Sequence, residues 1–414
     1  MNKIKGTQDF IDLQLFNFII DKARQQCEQY NFSEIATPIL EPTELFKRSL
    51  GTETDVVSKE MYTVNTGPDG DNICLRPEAT ASTIRAFIEN SIQHTPWKVF
   101  SWGAMFRHER PQKGRYRQFH QFNLEVIGSN AIAEDALCIK MLDSLFSDSF
   151  GLSEYALIIN FLGTPEERHA YVVILDKYLD GVIDKACKTC AVRKVSNILR
   201  VFDCKNETCQ SLYKKAPKII DHLTESAEEW QQLQEQLTLL SVSYTIDPKL
   251  VRGLDYYSKT VFEFVSSNLG SQNAFCGGGR YNNLVKTIGG KEDQPSIGAS
   301  IGIERLMMVL EPIKDKLALP QPAALTILIP LAVEQQTLAL LIAQNLHTHK
   351  LSCDILFEGS VKSMMRKANK MGATYTVLLG SDEQVTRTAT VKNMITGTEE
   401  KMDQTKLAQY LKKV

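Results

Sequence analysis

No stretch of this 414-residue chain approaches the ~18 consecutive apolar residues that a membrane span needs, and the longest run, Leu325 to Val333, is already broken by Thr326 and Pro330. No membrane partner is expected. No secretory leader is expected either, because Lys3 and Lys5 are followed by Asp9 and Asp12 rather than by an apolar stretch and a small-residue cleavage site. An excess of charge of one sign is also missing. The 47 Lys and Arg against 49 Asp and Glu leave a net charge of -2, which excludes a strongly basic wrapper of nucleic acid and a solvated acidic chain but permits a local basic patch. The nine cysteines are odd in number and follow no regular secretory framework, so a reducing, cytoplasmic setting is expected. There is no internal repeat and no low-complexity tract. The glycines lack the spacing of a phosphate loop or a dinucleotide fingerprint.

What is present is an ordinary globular composition, 43% hydrophobic and 23% charged, over a length that suggests two or three domains. Texture divides the chain. Residues 1–164 and 241–319 carry nearly all the unusual motifs. Residues 165–240 are helical, rich in Glu, Gln and Lys, and free of glycine after Gly181, which marks an insertion; within it Ser226–Leu237 reads as a surface helix. Leu319-Pro320-Gln321-Pro322 is a proline-marked linker. Beyond it, residues 323–414 alternate: strands are expected over Leu325–Pro330, Cys353–Phe357, Tyr375–Leu379 and Thr388–Val391, with helices over Ala332–His347, Val361–Met371 and Gln404–Lys413. That alternation predicts a small α/β domain with a largely parallel sheet. Its eleven Lys and Arg against eight Asp and Glu suit a polyanionic partner mildly, and an ordinary solvated surface equally well. Lys362, Arg366 and Lys370 lie at helical spacing there, most simply on a solvated face.

The strongest signal is Phe106 to Gly128. Arg107, Arg110, Lys113, Arg115 and Arg117 put five cations within eleven residues, with Pro111 and Gly114 between them. A basic loop therefore feeds a strand, Phe119–Ile127, whose period of two sets Gln121, Asn123 and Glu125 on one side and Phe122, Leu124 and Val126 on the other. A solvated hairpin accounts less readily for a polar face without lysine just after an arginine cluster. Guanidinium groups grip phosphate oxygens bidentately, and Phe119 offers a ring on which a nucleobase can stack. The segment reads as a site for a phosphate-bearing ligand beside a pocket.

Four further stretches are ambiguous one at a time. In Leu75-Arg-Pro-Glu-Ala-Thr80, followed by a helix over Ala81–Glu89, Glu78 can receive an ammonium group; in isolation, Pro77 and Glu78 merely suit a helix start. In Leu250–Tyr257, Arg252 stands beside Gly253 ahead of a strand over Thr260–Val265, and a surface pair with Asp255 would explain it equally well. The three glycines of Phe275–Tyr281 allow close approach of backbone to a ligand, although a tight turn is the usual explanation. In Ser296–Leu310 a glycine-bearing strand runs into a helix, and Arg305 falls in its first turn, where a cation opposes the helix dipole unless an anion sits nearby.

Assembled, these segments resemble the class II aminoacyl-tRNA synthetases and, within them, the histidyl-tRNA synthetases. Pro38-Ile-Leu-Glu-Pro-Thr-Glu44 is similar to motif 1, Phe106–Gly128 to motif 2 and Gly298–Leu310 to motif 3. Lys5-Gly-Thr-Gln-Asp9, Arg107–Gln121 and Leu250–Tyr257 resemble stretches particular to the histidine enzymes, so the resemblance covers essentially the whole chain. It implies an α+β catalytic core, an antiparallel sheet flanked by helices, with a helical insertion and a C-terminal α/β anticodon-binding domain, working as a homodimer. It also implies formation of histidyl-adenylate from L-histidine and ATP with Mg2+, then transfer to a histidine tRNA. Arg107 and Arg252 would be catalytic. Arg107, Glu109, Arg115, Phe119 and Arg305 would hold ATP. Glu78, Thr80 and Gln121 would take the histidine ammonium, Arg252 its carboxylate, and Glu125 and Tyr257 its imidazole, with Tyr281 nearby. Ala79, Phe122-Asn123 and Asn282-Asn283 depart from the usual family residues, which touches pocket shape rather than the charged set. The rival is a catalytically inactive paralogue serving as a regulatory subunit in histidine biosynthesis. Such chains typically lose the key arginines and the C-terminal domain, both present here.

The insertion carries one more pattern. Cys187-x2-Cys190 and Cys204-x4-Cys209 place four of the nine cysteines within 23 residues. Two short pairs across a longer gap are candidate ligands for a structural Zn2+. Cys27, Cys74, Cys138, Cys276 and Cys353 read as small packed groups.

Overall fold

The structure is a computed structural model describing residues 1–65, 67, 70–270 and 273–412. It forms two compact units, Met1–Leu319 and Pro320–Val414. The strands of the first are β1 (Ser33–Glu34), β2 (Leu40–Pro42), β3 (Thr63–Val64), β4 (Ile73–Leu75), β5 (Trp97–Phe106), β6 (Gln118–Ile127), β7 (Ala156–Phe161), β8 (Thr245–Ile246), β9 (Ser258–Val265), β10 (Ala274–Arg280) and β11 (Ser296–Gly302). The main sheet runs β1-β5-β6-β11-β10-β9-β7-β8, and β2-β4-β3 makes a small second one. The interior pairs are antiparallel, with β5 and β6 in register from Trp97↔Ile127 to Phe106↔Gln118. The edges depart from the expected antiparallel pattern: β1 on β5 and β8 on β7 are parallel, over two residue pairs each. A parallel neighbour needs a crossover, and the helices between β7 and β8 supply one.

Period two gives the sheet two unlike faces. Phe122, Leu124 and Val126 of β6, Phe262 and Phe264 of β9, and Ile297 and Ile301 of β11 are buried in one cluster with the helices Gln14–Gln29, Ile132–Ser144 and Ile303–Leu310. Each fully buried side chain of this kind contributes about 1.5–3 kcal/mol. The other face carries Gln121, Asn123 and Glu125.

The insertion begins with a helix, Pro165–Asp180, started by a capping box between Thr164 and Glu167 with Pro165 at its first position. Short helices follow at Lys188–Ser196 and Glu207–Leu212, and a longer one at Ala227–Leu239. That last helix is not the surface element its polar sequence suggested. Trp230, Leu233 and Leu237 are buried in the main core, with Trp230 5.6 Å from Phe161; a stripe at i, i+3 and i+7 suffices to anchor it.

The second unit holds β12 (Thr326–Pro330), β13 (Cys353–Ile355), β14 (Tyr375–Leu379), β15 (Thr388–Asn393) and β16 (Glu399–Asp403), in the order β13-β12-β14-β15-β16. The first three in that order are parallel and the last two antiparallel. Helices Gln336–Thr348 and Val361–Lys370 fall where expected. The expected Gln404–Lys413 helix starts as a tighter turn, Gln404–Lys406, and is helical over Leu407–Lys412; Lys413 lies outside the described residues. The sequence reading missed the helix Ser381–Thr386 and the strand β16, whose Glu-Glu-Lys-Met-Asp carries no apolar alternation. Lys362, Arg366 and Lys370 are exposed. Among the described residues no helix is long and apolar enough to cross a membrane.

Candidate active site

A cavity of about 810 Å³ opens on the polar face of the main sheet. Its floor is kept clear by glycine. The three glycines of β10 form no turn; they lie in a central strand between β9 and β11. A Cβ on Gly277 would come within 2.6 Å of the Arg252 guanidinium, and one on Gly279 within 2.8 Å of the Tyr257 ring. On β11, a Cβ on Gly298 would run into the Glu125 carboxylate across the strand pair. The missing side chains make room for a set of polar groups above a β floor.

Arg107, Arg252 and Arg305 all line this one cavity, with Glu78, Glu109, Arg115, Phe119, Gln121 and Tyr257. Arg107 leaves the end of β5, donates from Nε to the Pro77 carbonyl at 3.0 Å and lies over the Phe119 ring, 5.3 Å from its centroid. Glu109 pairs with Arg115 at 3.0 Å. Arg305, at the start of the last core helix, donates to the carbonyls of Gly114 and Ala274, both at 2.8 Å. It thereby buckles the basic loop to β10. Burial, followed by the nearby charge of Arg115, lowers its pKa. That neighbouring cation adds to the helix-dipole misfit seen in the sequence and does not relieve it.

Arg252 does not pair with Asp255. It donates to Glu263 of β9 and lies 5.6 Å from the Tyr257 ring centroid. Burial opposes its charge, but Glu263 and the neighbouring tyrosines outweigh that and hold its pKa above the usual arginine value. Asp255 instead accepts from Asn197 Nδ2 of the insertion at 2.8 Å.

Farther along the same face of β6, Glu125 is 1% exposed. It accepts from Thr80 Oγ1 at 2.7 Å and from the Tyr281 hydroxyl. Burial pushes its pKa up to about 8, against the pull of those two donors. Glu78 is buried too and accepts from the backbone N–H groups of Thr80 and Ala81 at 2.7 and 2.9 Å. It is thus both the helix start of the simple reading and a cavity wall; burial raises its pKa. The buried Gln121 Oε1 has no hydrogen-bond partner, an acceptor facing the site without a donor. So nine of the sequence-selected residues line the cavity, while Thr80, Glu125 and Tyr281 form a closed hydrogen-bonded group beside it.

The sequence reading missed Glu263, although one carboxylate in the otherwise apolar Thr-Val-Phe-Glu-Phe-Val run was a visible signal. It also missed Ser300, which donates to Asn123 Oδ1 at 2.6 Å. The particular Lys5–Asp9 stretch buttresses the basic loop: the Gly6 carbonyl accepts from the Arg117 N–H at 2.7 Å.

Cys187, Cys190, Cys204 and Cys209 converge in the insertion, their four sulfurs all within 4.8 Å of one another. The Cys187 and Cys204 sulfurs are 3.7 Å apart. That is far beyond a disulfide bond of about 2.05 Å and close to the roughly 3.8 Å edge of a sulfur tetrahedron drawn around zinc at about 2.3 Å. Cys190, Cys204 and Cys209 are buried. Of the other cysteines, Cys27, Cys74, Cys138 and Cys276 are buried, and Cys353 is half-buried, 3.2 Å from His347 Nε2.

A family model described as histidyl-tRNA synthetase matches residues 17–306, and one described as an anticodon binding domain matches residues 326–414. A histidine–tRNA ligase of Halothermothrix orenii is 44% identical over 402 residues, covering 95% of this chain and 94% of the relative. One from Solidesulfovibrio magneticus is 42% identical over 421 residues, covering 100% and 97%. The apo crystal structure of S. aureus histidyl-tRNA synthetase superposes with a TM-score of 0.82 at 33% identity, over 100% of both chains.

Proposed function

Because the chain belongs to the histidyl-tRNA synthetase family, we propose that it joins L-histidine to its cognate tRNA in two steps within the cavity described. A histidine carboxylate oxygen attacks the α-phosphorus of ATP. The bond from that phosphorus to the bridging oxygen of the β-phosphate breaks, and pyrophosphate leaves. A ribose hydroxyl of the terminal adenosine of tRNA then takes the histidyl group from the adenylate and AMP departs. The observation that carries this reading is the convergence of Arg107, Arg252 and Arg305 on one cavity, with the buried carboxylate of Glu125 on the same sheet face.

Such transfer depends on positioning and charge stabilisation more than on a nucleophilic side chain. Arg107 holds the α-phosphate, and Arg305 holds the remaining phosphates with Arg115, which its ion pair with Glu109 orients. Phe119 stacks on the adenine, a role supported by the guanidinium already lying on one side of its ring. Arg252 meets the substrate carboxylate and the α-phosphate, where negative charge accumulates. Gln121, through its unpaired oxygen, Glu78 and Thr80 receive the ammonium. Glu125, with Tyr257 and Tyr281, accepts from the imidazole; a site that pairs a polar ligand group rejects analogues lacking it.

ATP would bring Mg2+, which would supply charge neutralisation to the nucleotide. Among the described residues the cavity offers no convergent carboxylate set, which fits an ion carried in on the nucleotide rather than caged by protein. The four cysteines suit a structural Zn2+. Residues 1–164 and 241–319 form the catalytic core, 165–240 the insertion, and 323–414 read the anticodon. The enzyme works in the cytosol as a homodimer; apolar surface left uncovered at Ile39, Leu40 and Trp102 supports the pairing.

The test is amino-acid-dependent pyrophosphate exchange. Histidine is expected to drive it, and Arg252→Ala to lower it by about 10²–10³, the cost of removing one electrostatic donor at a reacting centre, with ATP binding largely retained. Exchange driven better by another amino acid, or an unaffected Arg252→Ala variant, would overturn the proposal. The retained arginines and the second unit weigh against the regulatory paralogue.

A further inference from the structure

The four-cysteine cluster and the cavity share a wall. Phe202, Asp203 and Lys205, which flank Cys204, line the cavity, and so do Gln210, next to Cys209, and Tyr213. The same short segments therefore present sulfur on one side and the substrate space on the other. Cys190, Cys204 and Cys209 belong to one continuous buried cluster with Leu175, Val201 and Tyr213, and that cluster runs on to Tyr257 and Tyr281. Two hydrogen bonds tie the insertion to the loop bearing Arg252. Asn197 Nδ2 donates to Asp255 Oδ1 at 2.8 Å, and Arg168 Nη1 donates to the Tyr257 carbonyl at 2.7 Å. Asn197 stands directly after the helix Lys188–Ser196 that contains Cys190. Arg200, three residues on, reaches Asp55 at 3.6 Å, and both line the cavity.

This wall has little long regular secondary structure to hold its shape. From Ile183 to Lys215 it consists of short helices and tighter turns of three to nine residues. Pieces this small generally need a staple in addition to their apolar contacts. Four thiolates at tetrahedral spacing select a soft, four-coordinate cation, and zinc is the common one. Its binding releases the thiol protons to solvent, and its binding energy becomes folding energy of the segment that carries the ligands.

Resting on the assignment of the cavity as the histidine site, we propose that a Zn2+ held by Cys187, Cys190, Cys204 and Cys209 sets the affinity for histidine, by fixing the wall that anchors the Asp255–Tyr257 end of the Arg252 loop. The phosphate-binding half of the cavity is built from β5, β6 and the Arg305 helix. None of these is tied to the cysteine segment by the bonds just described, so ATP binding is left nearly unchanged.

The experiment uses the full-length protein purified without chelator. Elemental analysis is expected to find about one zinc per chain, as a closed four-cysteine site implies. Zinc is then withdrawn with a zinc-selective chelator under reducing conditions, with excess Mg2+, and pyrophosphate exchange is titrated separately in histidine and in ATP. The KM for histidine is expected to rise about tenfold or more, the scale of losing a hydrogen bond to a charged group. The KM for ATP should move by less than about twofold, and added Zn2+ should restore the original value. A second variant, Asn197→Ala, leaves the thiols intact and is expected to keep its zinc while raising the histidine KM about threefold, the scale of one exposed hydrogen bond. Absence of metal with all four thiols freely titratable, an unchanged histidine KM after zinc loss, or a parallel rise of both KM values would overturn the proposal. Should chelation unfold the chain, an unchanged histidine KM in Asn197→Ala overturns it instead. Failure of the zinc-loaded protein to show any histidine-dependent exchange would strike the functional assignment itself, a different result from exchange that ignores zinc.

Discussion

Replacing Glu125 by glutamine should move stability and substrate selection in opposite directions. The side chain is 1% exposed, and burial raises its pKa from 4.5 to about 8. At about 1.4 kcal/mol per unit, holding the charged form at this buried position costs up to about 5 kcal/mol. The sign follows from linkage: a group whose folded pKa is raised gives stability that is complete below its unfolded value and is lost as pH climbs through the folded one. The wild-type protein should therefore weaken between about pH 4.5 and pH 8. Glu125→Gln keeps the shape and the Thr80 hydrogen bond but has no proton to lose. In denaturant titrations it should match wild type at pH 5 and exceed it by a few kcal/mol at pH 9. In the role proposed for Glu125 the imidazole draws it into the charged form, which glutamine cannot adopt; that acceptor is worth about 1.5–3 kcal/mol, so histidine kcat/KM in pyrophosphate exchange should fall about 10- to 100-fold. A variant destabilised equally at both pH values, or one that retains wild-type kinetics for histidine, would refute the reasoning.

Gly298→Ala drives a methyl group into the Glu125 carboxylate. Overpacking of this kind costs about 1–3 kcal/mol, and thermal unfolding should show it together with a raised histidine KM. Asp135→Ala strips the partner from Arg280, which is 1% exposed and, among the described residues, takes its one side-chain hydrogen-bond partner in Asp135. An uncompensated buried charge costs about 3–5 kcal/mol, measurable by guanidinium denaturation; a loss under 1 kcal/mol would contradict that accounting. Because Arg280 directly precedes Tyr281, histidine binding should weaken as well.

Much of the site was legible where a one-dimensional rule maps onto one direction in space. Period two along Phe119–Ile127 correctly separated Gln121, Asn123 and Glu125 from the greasy face, because a strand offers no other arrangement. The misfit of Arg305 at a helix start was readable for a similar reason, since the dipole has a fixed sign. Other features depend on contacts that sequence spacing does not encode. Asp255, three residues from Arg252, looked like its partner, yet the loop turns it toward Asn197 and leaves Arg252 to Glu263. Three successive glycines suit a turn and a crowded strand equally, and only the side chains of Arg252 and Tyr257 above them decide between the two. The edge strands β1 and β8, two residues each, are too short to leave a periodic trace. The Ala227–Leu239 helix hid its anchoring role because three buried residues sufficed among many glutamines and glutamates.

The bare floor beneath the substrate space also bears on how far this pocket can be re-engineered. Enlarging a binding site usually means trimming a side chain, but Gly277, Gly279 and Gly298 have none to trim. The tyrosines at 257 and 281 are no easy source of room either, since each is already committed, one against the Arg252 guanidinium and the other to Glu125. Replacing either tyrosine therefore disturbs Arg252 or Glu125, and with the roles proposed for those two, choosiness and turnover are lost together.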